Sequence, residues 1–342
     1  MDRIYKRIII SRTDKIGDLI LSIPSFFMVR KMYPDAEITL LVRSYNYNIV
    51  KNLPYINRVI QIDNYRQKEL LEKIQYFNAD VFIALYVDKF VMQLAKASKA
   101  KIKIGPLSKL KSFFIFNKGV LQKRSKSIKH EAEYNLDLIK KLDKKKFEER
   151  FELNTQIFLD KNNLESAEKF FKDNNIGEKV LVVNPFMGGS AKNITDEQYA
   201  DVLRKVYDES ESIDIIITAH ISDEDRGLAL VEKIGRERVY LFANGGELLN
   251  IGAVINKAKV YFGGSTGPTH IAASLQKNIV ALYPKKPTQS PKRWGIFGND
   301  NVVYIIPDEN SKENYKHKNF DSYNKITELK IVQEIVNRLE RK

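Results

Sequence analysis

Residues 7–18 read RIIISRTDKIGD, so three isoleucines lead directly into a polar loop that holds two aspartates and a glycine. A short apolar run bounded by turn residues is typical of a strand that is buried on both faces of a parallel sheet. The same arrangement returns at residues 180–192, VLVVNPFMGGSAK, where an apolar run meets Pro185 and a loop of small residues. Each stretch therefore predicts the first strand and first loop of a doubly wound α/β domain.

Strands and helices alternate outward from both stretches. The predicted strands of the first half are 7–11, 37–42, 57–62 and 80–86, with helices at 17–33, 67–77 and 130–142. Those of the second half are 180–184, 213–218, 239–242, 260–262 and 278–283, with helices at 195–207, 222–234, 247–258, 268–275 and 326–341. Such alternation indicates βαβ units and parallel sheets.

The length of 342 residues suits two domains, because single cores usually stop growing at about 250–300 residues. We predict an N-terminal domain at 1–165 and a C-terminal domain at 166–342, both Rossmann-like. The last helix, 326–341, could pack back on the first domain. Ligands of such sheets bind at the carboxyl ends of the strands, so the expected site is a cleft between two facing domains.

Composition excludes several classes of protein. The chain has no cysteine, which excludes disulfides, thiolate metal sites and a cysteine nucleophile and fits a reducing compartment. No signal-peptide core and no apolar run of about 20 residues appears, so we expect a cytoplasmic protein. The formal charge of +14 favours anionic partners without choosing among nucleic acid, anionic lipid and nucleotide.

The first candidate group is the loop after the first strand, which contains Arg12, Asp14, Lys15 and Asp18. One of the two carboxylates could take a proton from an attacking hydroxyl as a general base. Alternatively, Asp14 caps the following helix and Asp18 is a first-turn acid that complements the helix dipole. Acids are common in first turns, so the spacing alone favours the capping roles.

The second candidate group follows the strand at 180–184. Backbone N–H groups of a small-residue loop and one ammonium could bind a diphosphate. The residues of this group are Met187, Gly188, Gly189, Ser190 and Lys192. The Gly-Lys-Ser/Thr of a P-loop is absent, and an ordinary connection with a surface lysine is an equally good interpretation.

The third candidate group opens the helix predicted at 268–275. Its residues are Ser265, Thr266, Gly267, Pro268, Thr269 and His270. Pro268 is placed where a first helical residue belongs, so the helix N-terminus and its N–H groups would point at an anion. His270 could donate to a phosphate oxygen or simply pack in the core.

No convincing metal site is found. The segment Asp223-Glu224-Asp225 has the D-x-D form that can hold a divalent cation, but it opens a helix, where acids complement the dipole. None of the four histidines pairs at zinc-ligand spacing. The absence of G-x-G-x-x-G leaves a dinucleotide oxidoreductase little support.

Taken in order, these motifs resemble glycosyltransferase family 9, the ADP-heptose:lipopolysaccharide heptosyltransferases. The matching stretches are residues 7–24, 33–36, 130–138, 184–192, 265–270 and 293–295. The resemblance implies a GT-B fold and an inverting transfer without a metal or cofactor, because the nucleotide-sugar is a substrate. The implied donor is ADP-heptose and the implied acceptor is a lipopolysaccharide core or a related anionic glycolipid.

The resemblance also assigns roles to single residues. The family's catalytic carboxylate falls on Asp18, its phosphate-binding lysine on Lys192, and its ribose-contacting acid at or near Asp223. We expect the donor at the second and third groups and the acceptor at Arg12, Asp14 and Lys15. One departure concerns the donor: this chain has Ser265 where many members carry an acid before Thr-Gly.

Residues 96–129 form a separate feature with eleven lysines and arginines and no acid. With Phe113, Phe114 and Phe116 among them, they could hold the protein peripherally at the inner membrane, or they are only a solvated basic face. A nucleic-acid binder is a rival because of the net charge, but no such motif appears, so we expect no nucleic-acid partner. A sugar-nucleotide epimerase on the same fold and an inactive family member are the other rivals.

Overall fold

The computed structural model describes residues 4–188, 191–307, 320 and 323–341. The chain divides into two compact units, Met1–Phe158 and Leu159–Lys342. The boundary predicted at 165/166 is therefore slightly late: it falls inside a helix, Lys161–Asp173, that the sequence analysis missed. This helix packs on a helix of the second unit and belongs to it as a whole.

The first unit contains a five-stranded parallel sheet in the order β3-β2-β1-β4-β5. Its strands are β1 (Arg7–Ser11), β2 (Glu37–Val42), β3 (Arg58–Gln61), β4 (Val81–Ala84) and β5 (Ile102–Ile104). The central strand β1 pairs with β2 and β4, and its three isoleucines are buried. The apolar run at residues 8–10 is thus the middle of the sheet, as predicted.

Helices cover both faces of this sheet. They are α1 (Ile16–Ile20), α2 (Ile23–Met32), α3 (Tyr47–Val50), α4 (Gln67–Tyr76), α5 (Lys89–Ala97), α6 (Ser112–Ile115), α7 (Glu131–Leu142) and α8 (Lys144–Glu149). The single helix predicted at 17–33 is wrong, because the chain breaks at Leu21 and Ser22. Pro24 is the second residue of α2, where its missing N–H costs no hydrogen bond, whereas in a continuous helix that N–H would be needed.

The second unit contains a six-stranded parallel sheet in the order β11-β10-β9-β6-β7-β8. Its strands are β6 (Val180–Asn184), β7 (Asp214–His220), β8 (Val239–Asn244), β9 (Val260–Gly264), β10 (Asn278–Leu282) and β11 (Val302–Ile305). The central strand β6 pairs with β7 and β9 and is buried along its length. Two doubly wound α/β units follow one another in the chain, which confirms the predicted class.

The helices of the second unit include the last helix of the chain. They are α9 (Lys161–Asp173), α10 (Asp196–Glu209), α11 (Glu224–Ile234), α12 (Leu248–Lys257), α13 (Gly267–Ser274), α14 (Pro291–Trp294) and α15 (Lys325–Glu340). The buried face of α15, including Ile331, Ile335 and Leu339, joins the core of the second unit and packs on α10. This helix therefore belongs to the second unit, and its packing on the first domain stays a prediction.

Within the described ranges, the structure contains no helix that is both long and apolar enough to cross a bilayer.

Candidate active site

The first site lies where the connections of the first sheet change direction. From β1 the chain passes to β2 on one side, and β4 pairs with β1 on the other side. The loops that leave β1 and β4 therefore diverge and open a crevice at the carboxyl edge, the usual ligand position in such sheets. The acidic loop predicted as a candidate follows β1 at this point.

Arg12 is the centre of this site. It is fully buried and forms ion pairs with Asp14 at 2.6 Å and with Asp18 at 2.7 Å. Its Nη1 also donates to Asn135 Oδ1 at 3.0 Å and to the Leu85 carbonyl after β4 at 3.2 Å. The guanidinium is thus placed to position the two carboxylates. The contact of Arg12 with the acceptor stays a prediction.

Helix α7 completes the site with two buried polar residues that the sequence analysis did not select. Glu131 is 3.5 Å from Arg12 and also forms an ion pair with Arg124. Asn135 lies one turn later, where its Nδ2 donates to Ser22 Oγ at 3.1 Å. The available signal was their i, i+4 spacing on the apolar face of α7, which places both side chains towards the sheet.

Arg12 is held in its charged form by these acids. Burial disfavours its charge, but the nearby carboxylates of Asp14, Asp18 and Glu131 outweigh that effect and raise the pKa of Arg12 above its ordinary value. The guanidinium is therefore a permanent cation that orients carboxylates at the crevice.

The two aspartates differ in environment. Their side chains are 16% and 15% exposed for Asp14 and Asp18, so both reach the surface at the crevice. Burial, which outweighs the opposing charge of Arg12, raises the pKa of Asp14 to about 7 with help from the charge of Asp18. Asp14 is thus about half protonated at neutral pH, and Asp18 and Glu131 share with it the balance of the Arg12 charge.

The capping alternative is partly wrong. Helix α1 begins after Lys15, which occupies the N-cap position without a side-chain cap, so Asp14 does not cap it. Instead, the Asp14 carbonyl accepts hydrogen bonds from Tyr45 at 2.6 Å and Asn46 at 2.7 Å, which fix the loop. Asp18 does lie in the first turn of α1, as that alternative predicted. Lys15 is exposed and remains a predicted acceptor contact.

Asp14 is expected to make stability depend on pH. Its pKa in the folded state, about 7, exceeds the ordinary value of 3.8, so the folded state binds the proton more tightly. The corresponding stability is present below about pH 4 and is lost as the pH rises to about 7, by at most about 4 kcal/mol. Asp14→Asn removes this titration. Urea unfolding at several pH values should show the variant gaining stability relative to the parent between pH 5 and 8; parallel pH curves would contradict the assignment.

Glu131 is expected to contribute strongly to stability. Glu131→Gln leaves Arg12 and Arg124 short of one buried counter-charge, so we expect the free energy of unfolding to fall by about 3 kcal/mol. The matched control is Asp137→Asn on the same helix, because Asp137 forms only an exposed pair with Lys129 and should cost less than about 1 kcal/mol. Equal losses of unfolding free energy in the two variants, measured with urea, would show that the buried network stabilises the fold no more than an exposed ion pair does.

The second site lies at the corresponding position of the second sheet. Strand β6 pairs with β7 on one side and β9 on the other, and the two remaining candidate loops follow β6 and β9. The loops meet at this edge: Thr266 Oγ1 is 3.5 Å from Asn184 Oδ1. A Cβ on Gly264 would lie 2.6 Å from Met187 Sδ, so the absent side chain lets the first loop close over the end of β9.

The loop after β6 was predicted to bind a diphosphate. Met187 is half-buried and Gly188 is exposed, whereas Gly189 and Ser190 lie outside the described residues. Lys192 is only 5% exposed, so it is not the ordinary surface lysine of the alternative interpretation. Asn193 anchors the loop by donating from Nδ2 to the Pro185 carbonyl at 2.6 Å.

The loop after β9 opens helix α13 as predicted, with a shift of one residue. Thr266 is the N-cap and Gly267 the first helical residue, so Pro268 is second. Pro268 has no backbone N–H, and this costs no hydrogen bond, because N–H groups in the first turn have no partner within the helix. Residues 265–268 are half-buried at the edge of the sheet. The N-terminus of α13 is therefore available to an anion.

The remaining residues of this loop face inwards. Thr269 is fully buried, where its hydroxyl donates to the Gly264 carbonyl and lies 3.2 Å from Tyr261 Oη. Its side chain thus supports the loop, which leaves its backbone N–H for the predicted donor contact. His270, a residue of α13, is 4% exposed. Ser265 lies close to the buried Tyr283.

Asp223 lies on the neighbouring strand connection, after β7. It is half-buried at the N-cap position of α11 and makes no side-chain cap. The position next to the β6 loop is compatible with the predicted ribose contact. Among the described residues, no three histidine or acidic side chains converge to hold a metal ion, and Asp223-Glu224-Asp225 is not such a group.

Comparison with known proteins decides the family. The profile of glycosyltransferase family 9 (heptosyltransferase) matches residues 70–324, which is most of the chain. The chain belongs to glycosyltransferase family 9. A Haemophilus influenzae strain Rd protein named as a glycosyltransferase is 27% identical over 298 residues, covering 84% of this chain and 85% of that protein.

Two crystal structures show the same fold as this family 9 chain. A family 9 glycosyltransferase from Veillonella parvula DSM 2008 has a TM-score of 0.83 at 19% identity. The superposition covers 99% of this chain and 98% of the Veillonella chain. Escherichia coli ADP-heptose lipopolysaccharide heptosyltransferase II has a TM-score of 0.78 at 15% identity, with 98% of each chain covered. The GT-B fold, the family and the enzyme class are thereby confirmed. The matched residues contain both loops of the second site and Glu131, but not Asp18.

Proposed function

We propose that this family 9 glycosyltransferase moves a heptose from ADP-heptose to a lipopolysaccharide core or related anionic glycolipid, with inversion and without a metal ion. The observation that carries the proposal is the Asp18 carboxylate, oriented by a buried arginine at the switch point of its sheet. The cytoplasmic face of the inner membrane is the proposed place of action, since a lipid-linked acceptor would be there.

The second unit supplies the donor site in this proposal. A diphosphate needs positive potential, which Lys192 and the N-terminus of α13 offer at adjacent strand ends. His270, in the same helix, is a further proposed contact of the diphosphate, and Asp223 contacts the ribose. As the bond to the sugar breaks, negative charge grows on the departing diphosphate and these groups stabilise it, so no metal is required.

The first unit supplies the base. Arg12 binds Asp18 Oδ1, and we assign Oδ2 to the proton of the acceptor hydroxyl. That oxygen attacks the anomeric carbon opposite the phosphate, forming the new glycosidic bond while the bond from carbon to the diphosphate oxygen breaks. The proton moves to Asp18 and ADP departs. Arg12, Asp14 and Lys15 are the proposed acceptor contacts, and Arg12 also positions Asp18.

The nucleobase is tested by thermal shift with ADP, UDP, GDP and CDP. A ligand that binds only the folded state stabilises it by about 2.7 kcal/mol at a hundredfold excess over Kd. We expect ADP to raise the unfolding midpoint most. A larger shift with another nucleotide would contradict the proposed donor, as would equal shifts with all four.

The reaction is tested by product analysis with ADP-heptose and a delipidated inner-core oligosaccharide. We expect a glycoside whose anomeric configuration is opposite to that of the donor, formed equally well with EDTA. Conversion of the donor in the absence of acceptor would indicate the epimerase. No product despite nucleotide binding would indicate a member that only binds.

A further inference from the structure

The basic stretch contains a loop, residues 107–119, that projects from the first sheet on a firm base. Its ends are tied by hydrogen bonds from Leu107 N to the Val120 carbonyl at 2.8 Å and from Val120 N to the Gly105 carbonyl at 3.0 Å. Phe116 is 2% exposed and packs on Gly105, where a Cβ would lie 2.9 Å from its ring. Phe116 is thus an anchor, not a contact residue as its place in the sequence suggested.

The end of this loop carries three large apolar side chains that face solvent, here named the apolar tip. Leu110, Phe113 and Phe114 are 80%, 53% and 84% exposed. They lie on and before α6 at spacings of three and four, which gathers them on one side of the turn. The buried Ser112 occupies the opposite side, where its hydroxyl donates to the Lys109 carbonyl. Clustered apolar exposure of this kind marks an interaction site.

The apolar tip lies within a cationic stretch of sequence. Residues 96–129 contain no acid, and Lys109 and Lys111 flank the tip on the exposed surface. Within the described ranges, Lys109, Lys111, Lys123 and Lys126 form no ion pair with an acid. Their charge is therefore available to an anionic partner.

We propose that the apolar tip inserts into the interfacial region of an anionic lipid bilayer while the flanking lysines contact its headgroups. An amphipathic element with apolar residues at one side and lysines beside them has the chemistry of such a surface. Single-stranded nucleic acid would also attract lysine and stack on phenylalanine. However, the aliphatic Leu110 offers no stacking face, and Leu121 and Ile128 add exposed aliphatic surface at 66% and 56%.

This proposal rests on the proposed function, because the lipid-linked acceptor of that function would lie in such a bilayer. The tip belongs to the same unit as the base. Arg124, within the same basic stretch, contacts Glu131 of the Arg12 network. Docking through this stretch would therefore bring the lipid surface to the unit that holds Asp18.

The test is flotation of the full chain with vesicles that contain about one third phosphatidylglycerol, compared with pure phosphatidylcholine, near physiological salt. We expect binding to the anionic vesicles only. Phe113→Ser with Phe114→Ser should weaken it about tenfold or more by removing the inserted groups. Lys109→Gln with Lys111→Gln should weaken it about thirtyfold, at about a factor of five per charge.

Tyr76→Ser is the matched control, because Tyr76 is 90% exposed at the end of α4, outside the basic stretch. Its binding should equal that of the parent. Absence of parental binding, or full binding by the phenylalanine variant, would overturn the proposal. So would phenylalanine-dependent binding to single-stranded oligonucleotides that exceeds binding to vesicles.

Flotation uses neither donor nor acceptor, so its outcome is separate from that of sugar transfer. The phenylalanine variant should retain parental turnover on a delipidated, water-soluble acceptor. Absence of sugar transfer by the parent and by every variant would contradict the proposed function. It would not change the conclusion from the flotation assay.

Discussion

Asp18→Asn is expected to lower kcat by about 10³-fold and to leave the affinity for ADP within about twofold. Asp18 Oδ1 accepts a hydrogen bond from Arg12 Nη2 at 2.7 Å. Asparagine keeps the size of the side chain and an oxygen that can accept the same hydrogen bond. It removes the capacity to take a proton and one negative charge beside Arg12, which Asp14 and Glu131 continue to balance. Because Asp18 belongs to the first unit and the proposed nucleotide site to the second, binding of ADP should survive. Single-turnover kinetics and calorimetric ADP titration measure the two quantities.

Asp14→Asn is the matched control, since both aspartates pair with the same guanidinium. Burial raises the pKa of Asp14 to about 7, so asparagine resembles the protonated form already common at neutral pH. We therefore expect a loss of less than about tenfold in kcat, small beside the contribution of a general base. If Asp14→Asn lost as much as Asp18→Asn, the base could not be assigned to Asp18 alone. Parental turnover in Asp18→Asn would reject the assignment.

The central strands could be predicted from the sequence because burial on both faces leaves a strong local signal. Strands β1 and β2 have the predicted bounds, and so does β6. The missed strands are short edge strands: β5 has three residues, including Lys103, and β11 has four. An edge strand is paired on one side only and needs fewer apolar residues, so its pattern merges with that of a loop.

The candidate loops could be predicted because each follows a buried strand, and sheet topology brings such loops together. The network around Arg12 could not. Arg12 and Glu131 are over a hundred positions apart, and neither residue signals by itself that it will be buried beside the other. Local pattern therefore pointed to the loop with Asp14 and Asp18 without choosing between them. It gave no sign that Arg12 would be buried, because an arginine in a polar loop ordinarily faces solvent.

Lys192→Met is expected to lower kcat/KM by 10²-fold to 10³-fold and to weaken ADP binding as well. Methionine has a similar length and no charge, so it fills the space of a side chain that is 5% exposed without opening a cavity. The lost ammonium would no longer stabilise the negative charge that grows on the leaving diphosphate, a contribution of about 3–4 kcal/mol for one well-placed donor. Steady-state kinetics and calorimetric ADP titration would give both values.

Lys277→Met is the matched control for removing a lysine charge from the same unit. Lys277 is half-buried after the C-terminal end of α13, away from the loop that holds Lys192, and burial lowers its pKa. We expect its kcat/KM to stay within about twofold, because a screened charge far from the leaving group contributes little to transition-state stabilisation. Loss of turnover with unchanged ADP affinity in Lys192→Met would place the lysine at the sugar instead of the diphosphate. Equal losses of kcat/KM in Lys192→Met and Lys277→Met would show that the effect comes from net charge. A specific contact with the diphosphate would lower kcat/KM only in Lys192→Met.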